Sequence, residues 1–181
     1  MDPSRERSAV IARLEDALEP LLAHSASLRS GLLNGASFAS AMRGARDSSG
    51  VAAARIELTG EKGETVSCSP CAFDTGEPAV QAVLTAMKFD PAIRCAAVLN
   101  YSDRAFEVFE DGLFLSCSTV TPGPSAHGTG PMDWGIASCC REEVPDVIYE
   151  KKPDPVQSRL LLFGEGPADV INNIIICLGR I

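Results

Sequence analysis

Seven cysteines and only two histidines set the limits on the chemistry this 181-residue chain could carry. Cys68-x-x-Cys71 has the spacing of a metal or dithiol motif, and Cys139-Cys140 is the other cysteine pair. A structural zinc site needs four ligands. Adjacent cysteines diverge on most backbones, and His24 and His127 are the only imidazoles, so no metal is expected. A thioredoxin-like use of the pair would need a helix starting between the two cysteines. Pro70 and the strand-like ETVSCSP context point to extended chain instead. An odd cysteine count with no apolar signal core ahead of it argues against a disulfide framework. The first reading of these thiols is as small, reduced, buried apolar residues.

Six other residues are weighed between a functional and a structural reading. Arg55, in the strand-like run A-R-I-E-L, is either an anion-binding group on a pocket wall or an outward arginine paired with an acid. Arg94 follows D-P-A-I and is either a ligand contact or a loop salt bridge. Trp134, the only tryptophan, could stack on a heteroaromatic ring or plug the core. Asp133 precedes it at a helix start, where backbone N–H groups favour a carboxylate whatever the function. Asp146, ahead of a strand, reads as structural. His127, in a Gly/Pro loop, is either a replacement acid or base or a solvated side chain.

The elements that must position these residues follow from periodicity. Apolar residues at Val10, Ile11, Leu14, Leu18, Leu21 and Leu22 mark one face of a helix over 5–22, capped by Ser4 and kinked or restarted at Pro20. A short helix is expected from Ala36 to Arg43, then a turn over 44–50. AARIEL and TVSCS read as two strands joined across TGEKGE. Glu77 to Lys88 is the clearest helix, with Pro78 in its first turn. Strands are expected at 95–101, 112–120, 146–150 and 159–164, and helices at 103–110, 132–143 and 167–178. Residues 121–131, TPGPSAHGTGP, form a long loop of the functional or mobile kind. Helices alternating with strands imply an α/β or α+β domain, its sheet covered by helices. The expected organisation is one domain overall: an N-terminal helical segment (1–30) and an α/β body (31–181).

Charge narrows the partners. Sixteen Lys and Arg against 24 Asp and Glu leave a net charge of −8, which repels nucleic acid and anionic lipid. The densest basic spot is Lys151-Lys152. No targeting segment is visible, and the apolar run 170–178 is half the length a bilayer needs. The expectation is a cytoplasmic protein with no nucleic-acid and no membrane partner. No internal repeat, phosphate loop, GxGxxG, nucleophile elbow or HExxH is present.

Four blocks then carry a family resemblance. VLTAMKFDPAIRCAAVLNYS (83–102) resembles the central motif of the ThiN family, the archaeal-type thiamine-phosphate synthase domain. MDWG (132–135) followed by PDVIYE (145–150) is similar to the family's M-E-W-G and P-D-V-I-Y-D. LLFGEGPADVINNII (161–175) is similar to its late strand, turn and final helix. GLLNGASFASAMRGARDSSGVAAARI (31–56) follows its early register. The resemblance spans about residues 8–178. It implies a single-domain α/β ThiN-like sheet covered by helices, a homodimer, and a transferase that joins a pyrimidine diphosphate to a thiazole phosphate with loss of pyrophosphate, usually with Mg²⁺.

The departures concern charge. The family's helix-opening His falls near Pro78, and an Arg three positions on falls on Gln81. An Asn and an Arg of its strand motif N-I-R-Y fall on Val98 and Asn100. An early Glu and Asn fall on Leu33 and Ser37, and a late G-K-E-P on Pro155, Val156, Gln157 and Ser158. Each lost phosphate contact is worth roughly 1.5–3 kcal/mol. Several together are worth about 5 kcal/mol or more, which is several thousandfold in rate. The resemblance therefore implies a ThiN-like small-ligand-binding protein, impaired or re-purposed as a catalyst, with a small heteroaromatic or phosphorylated ligand. The alternative is an active synthase, and only that reading calls for Mg²⁺. The residues expected at the ligand are Arg55, Arg94, Asn100, Ser37, Asp133 and Trp134, with no catalytic residue assigned.

Overall fold

Alanine decides how closely a helix can lie on the middle of this sheet. In a computed structural model of the chain, describing residues 2–23, 31–61, 65–121 and 133–181, the elements in order are α1 (Pro3–Ala23), β1 (Ser37–Ala41), β2 (Val51–Thr59), β3 (Thr65–Cys68), β4 (Ala72–Phe73), α2 (Pro78–Phe89), β5 (Cys95–Asn100), α3 (Asp103–Glu107), β6 (Cys117–Val120), α4 (Trp134–Cys139), β7 (Val147–Glu150), β8 (Arg159–Gly164) and α5 (Pro167–Leu178). The strands form one eight-stranded sheet in the order β3-β2-β1-β5-β8-β7-β6, with β4 also on β2. Every pairing is antiparallel except β6 with β7.

Strand alternation sends side chains to two cores. One face presents Phe38, Ala52, Ala54, Ile56, Leu99, Leu160 and Leu162 to α1 and α5. The other presents Ala39, Ala41, Ala53 and Ala96, and α2 meets them with Ala79, Ala82 and Ala86. Small residues on both sides bring the α2 backbone close to β1. α4 completes this second layer through Ile136. The result is an α/β domain with helices on both faces of its sheet. No helix among the described residues is long and apolar enough to cross a membrane.

Several expected elements change. Residues 37–41 form the central strand β1 rather than a helix from Ala36 to Arg43. It pairs with β2 on one side and β5 on the other and is buried along its whole length, so tertiary pairing overrides the helix preference of its alanines. α1 runs through Pro20 unbroken. The helix expected at 103–110 ends at Glu107 and continues as a π-helical turn over Val108–Gly112. The strand expected at 112–120 keeps only Cys117–Val120, because Phe114 takes a left-handed φ of 55° that breaks the extended run. α4 is shorter than the 132–143 expected. His24, His127, Met132 and all of the 121–131 loop but Thr121 lie outside the described residues.

Candidate functional site

The sheet face under α2 changes character at one end. Cross-strand register sets Arg55, Ser37, Val98, Leu161 and Ile148 in one row across five strands. The next row, Asn100, Arg159 and Glu150, crosses β5, β8 and β7. Over these rows stands the start of α2. A cleft of about 480 Å³ opens there, floored by Val98 and Leu161 and walled by Gly76, Pro78, Gln81, Asp133, Ile136, Lys152, Gln157 and Arg159. A slightly larger hollow of about 510 Å³ lies between β6 and α4. Its thiols, Cys117 and Cys139, are both pushed up by burial, so neither is an activated nucleophile. The cleft at α2 is where polar side chains of the sheet converge, and it is the candidate site.

Its charges are arranged in two groups. Arg55 donates from Nε to Glu77 Oε2 at 3.0 Å. Glu150 is only 1% exposed and takes two cations on one oxygen. Arg159 donates to Oε1 from Nε at 3.1 Å and from Nη2 at 2.8 Å, and Lys152 Nζ lies 3.2 Å from the same atom. Glu150 and Arg159 face each other directly across β7 and β8.

The start of α2 is closed to further donation. A helix leaves its first four N–H groups without intrahelical partners, and this is what makes such an end an anion site. Here Glu77 N reaches Thr75 Oγ1 at 3.4 Å. Pro78 has no N–H. Ala79 N donates to Ser37 Oγ at 3.0 Å, and Val80 N to Glu77 O at 3.0 Å.

The sequence-expected residues are placed unequally. Arg55 sits at one end of the first row, at the α2 side of the sheet. Ser37 is buried beneath α2, its oxygen occupied by Ala79 N. Asn100 directs both amide hydrogens to backbone, to Gly31 O at 2.8 Å and Asn34 O at 2.9 Å, and so ties down the turn before β1. Asp133 lines the cleft and caps α4, accepting from Ile136 N at 3.1 Å, while its own N–H donates to Thr85 Oγ1 at 3.1 Å. Trp134 follows it and is 65% exposed, which removes the core-plug reading. Arg94 precedes β5 at the end of the strand away from Asn100. Its backbone bonds Gly164 and Ala41, and roughly 13 Å of strand separates it from the Val98 row. Asp146 is structural, accepting from Ser116 N at 2.9 Å and Ser116 Oγ at 3.2 Å. Glu150 and Arg159 are the residues that sequence reasoning passed over, while Lys152 and Gln157 were noted only within a basic pair and a family segment.

A metal finds little here. Among the described residues no three His, Cys, Asp or Glu side chains stand together as a ligand set. Glu77 and Glu150 are held by cations and Asp133 by a helix amide, so a protein-held Mg²⁺ does not fit this donor set.

The fold is thus an α/β domain with a cleft at the polar end of its sheet. The comparisons give the family. The model of the family "Thiamine-phosphate synthase ThiN" matches residues 13–176, and the chain belongs to that family. A 104-residue stretch is 24% identical to the "Bifunctional thiamine biosynthesis protein ThiDN" of Methanocaldococcus jannaschii, a match covering 56% of this chain and 24% of the relative. The match thus spans about a quarter of that curated relative. Two solved structures share the fold. The C-terminal domain of a phosphomethylpyrimidine kinase has a TM-score of 0.79 at 23% identity, over 95% of this chain and all of that one. The C-terminal domain of protein MJ0236 has a TM-score of 0.77 at 21% identity, over 94% of each chain.

Proposed function

We propose that this ThiN-family protein binds a small heteroaromatic or singly phosphorylated ligand in the cleft at α2 and is impaired as a synthase. The observation that carries the reading is the closed start of α2. All four opening positions lack a free N–H, so the helix end that would otherwise grip a departing pyrophosphate has nothing to offer it. Charge counting supports the same reading. The cations Arg55, Lys152 and Arg159 are set against Glu77, Glu150 and Asp133, a balanced set poorly suited to a leaving group with several negative charges. The apolar lining of Val98, Leu161 and Ile136 suits a flat ring.

The presence of Lys152 and Arg159 on the cleft wall favours one second reading, an active synthase in which incoming phosphates draw these cations from Glu150. One assay separates the two. The protein is incubated with hydroxymethylpyrimidine diphosphate, thiazole phosphate and Mg²⁺, and thiamine phosphate is measured. The first reading expects no product above background. It also expects a raised melting temperature with thiamine or thiamine phosphate. Robust turnover establishes the second reading; a shift produced by diphosphates alone also counts against the first.

A further inference from the structure

Cys68 and Cys71 lie at the edge of the sheet on the face away from the cleft. β3 and β4 both run antiparallel to β2, with Cys68 opposite Ile56 and Ala72 opposite Ala53. Four steps of chain, 68 to 72, therefore cover three steps of β2, from 56 to 53. The Ser69-Pro70 segment is a bulge carrying one extra residue. In an unbroken strand, residues three apart point to opposite faces. The bulge cancels this. Cys68 stands beside Ile56 and Cys71 beside Ala54, and both pack on the core under α1. Two positions along β2 are about 6.6 Å apart, within the Cα separation of roughly 4.4–6.8 Å that a disulfide spans. Burial, the Glu15 carboxylate and Cys68 itself push the Cys71 thiol up to about 12.

The bulge is also fastened to Arg55. Ser69 N donates to Arg55 O at 2.9 Å, and Arg55 N donates to Ser69 Oγ at 2.8 Å. The Arg55 side chain passes to the other face, where it holds Glu77, the residue that begins α2. We infer that Cys68 and Cys71 are a redox-modifiable dithiol that closes to a disulfide on exposure to a low-molecular-weight disulfide, and that closure is transmitted through Ser69 to Arg55.

The exchange balances in two steps. The Cys68 thiolate attacks the small disulfide, forming a mixed disulfide and releasing one small thiolate. Cys71 gives its proton to solvent and attacks Cys68 Sγ, expelling the second small thiolate. Two protein thiols are oxidised and one small disulfide is reduced to two thiols. Burial and Glu15 also raise the Cys68 thiol, so the reaction is slow at neutral pH and quickens as the thiolate fraction rises.

The test treats the full chain with glutathione disulfide at about pH 8.5, near an ordinary thiol's midpoint. Peptide mapping then follows residues 68–71, and hydrogen exchange follows the backbone amides. The expected result is a 68–71 peptide lighter by two hydrogens, with altered exchange in 51–59 and 77–81 and none in 159–164. The Cys68→Ala variant shows neither change. Absence of the bridged peptide overturns the inference. A bridge without altered exchange in 51–59 overturns the transmission. So does the same exchange change in the Cys68→Ala/Cys71→Ala double variant, because another cysteine then causes it. No ligand enters the measurement, so its failure is distinct from failure of the binding proposal.

Discussion

Two ion-pair groups stand at the polar end of the sheet, one at the start of α2 and one across β7 and β8, and they are held in opposite ways. Arg55 and Glu77 leave 37% and 21% of their side chains exposed, whereas Glu150 leaves 2%. Water screens the first pair, so either member can exchange partners at little cost. The second group is a buried carboxylate on which two cations converge, and removing it would take from Arg159 its partner across β7 and β8. The outer pair is suited to respond to a ligand, and the inner group to hold β7, β8 and the following Lys152 in place.

The comparison breaks first at Glu150. Replacing it with Ala is expected to cost about 3 kcal/mol of stability, the low end for a broken buried pair because Arg159 and Lys152 reach water. Urea denaturation measures it, and a loss under about 1 kcal/mol would make the two groups alike. Ser37→Ala comes next. It leaves the buried Ala79 N–H without its acceptor, with an expected loss of about 1–3 kcal/mol.

Alkali reaches the buried thiols elsewhere in the molecule. Burial pushes Cys71 up to about 12, and Cys117, Cys140 and Cys177 up to about 11, from an ordinary value of 9.0. A raised native pKa gives stability that is complete below the unfolded value and is lost as pH climbs through the native one. Under reducing conditions the denaturation midpoint should therefore hold to about pH 9 and fall between about 9 and 12. A midpoint flat across that window would show that the thiols ionise freely. The smallest effect is Arg55→Ala, at most about 1 kcal/mol in stability. Its signature is weaker thiamine phosphate binding by calorimetry; full retention of binding would place the ligand away from the outer pair.

How much of this was legible in the sequence depends on which interactions were local. α2 and α5 were read from apolar periodicity with proline in the first turn, and the alternation of β2 gave Arg55 its strand. β1 was misread because five small or apolar residues carry no period, and only its two neighbouring strands explain its shape. The inner ion group depends on Glu150 lying opposite Arg159, a register set by pairing between β7 and β8. A weaker signal existed: alternation along R-L-L-L-F-G puts Arg159 on the same side as Leu161. A reading anchored on the family's charged positions passed over it, as it did Lys152 in the Lys151-Lys152 pair. Asn100 was found as a position, but its role as a tie to the 31–34 turn depends on contacts nearly seventy residues apart in the chain.

That tie constrains where the protein can go from here. Asn100 stands where the family resemblance places an arginine, yet its two hydrogens now fasten the approach to β1. An arginine at that position alone would unfasten that approach before it could offer any grip on phosphate. Such a variant would need a compensating change near Gly31 or Asn34 first. Any attempt to place an arginine there should therefore begin with the turn rather than with the charge.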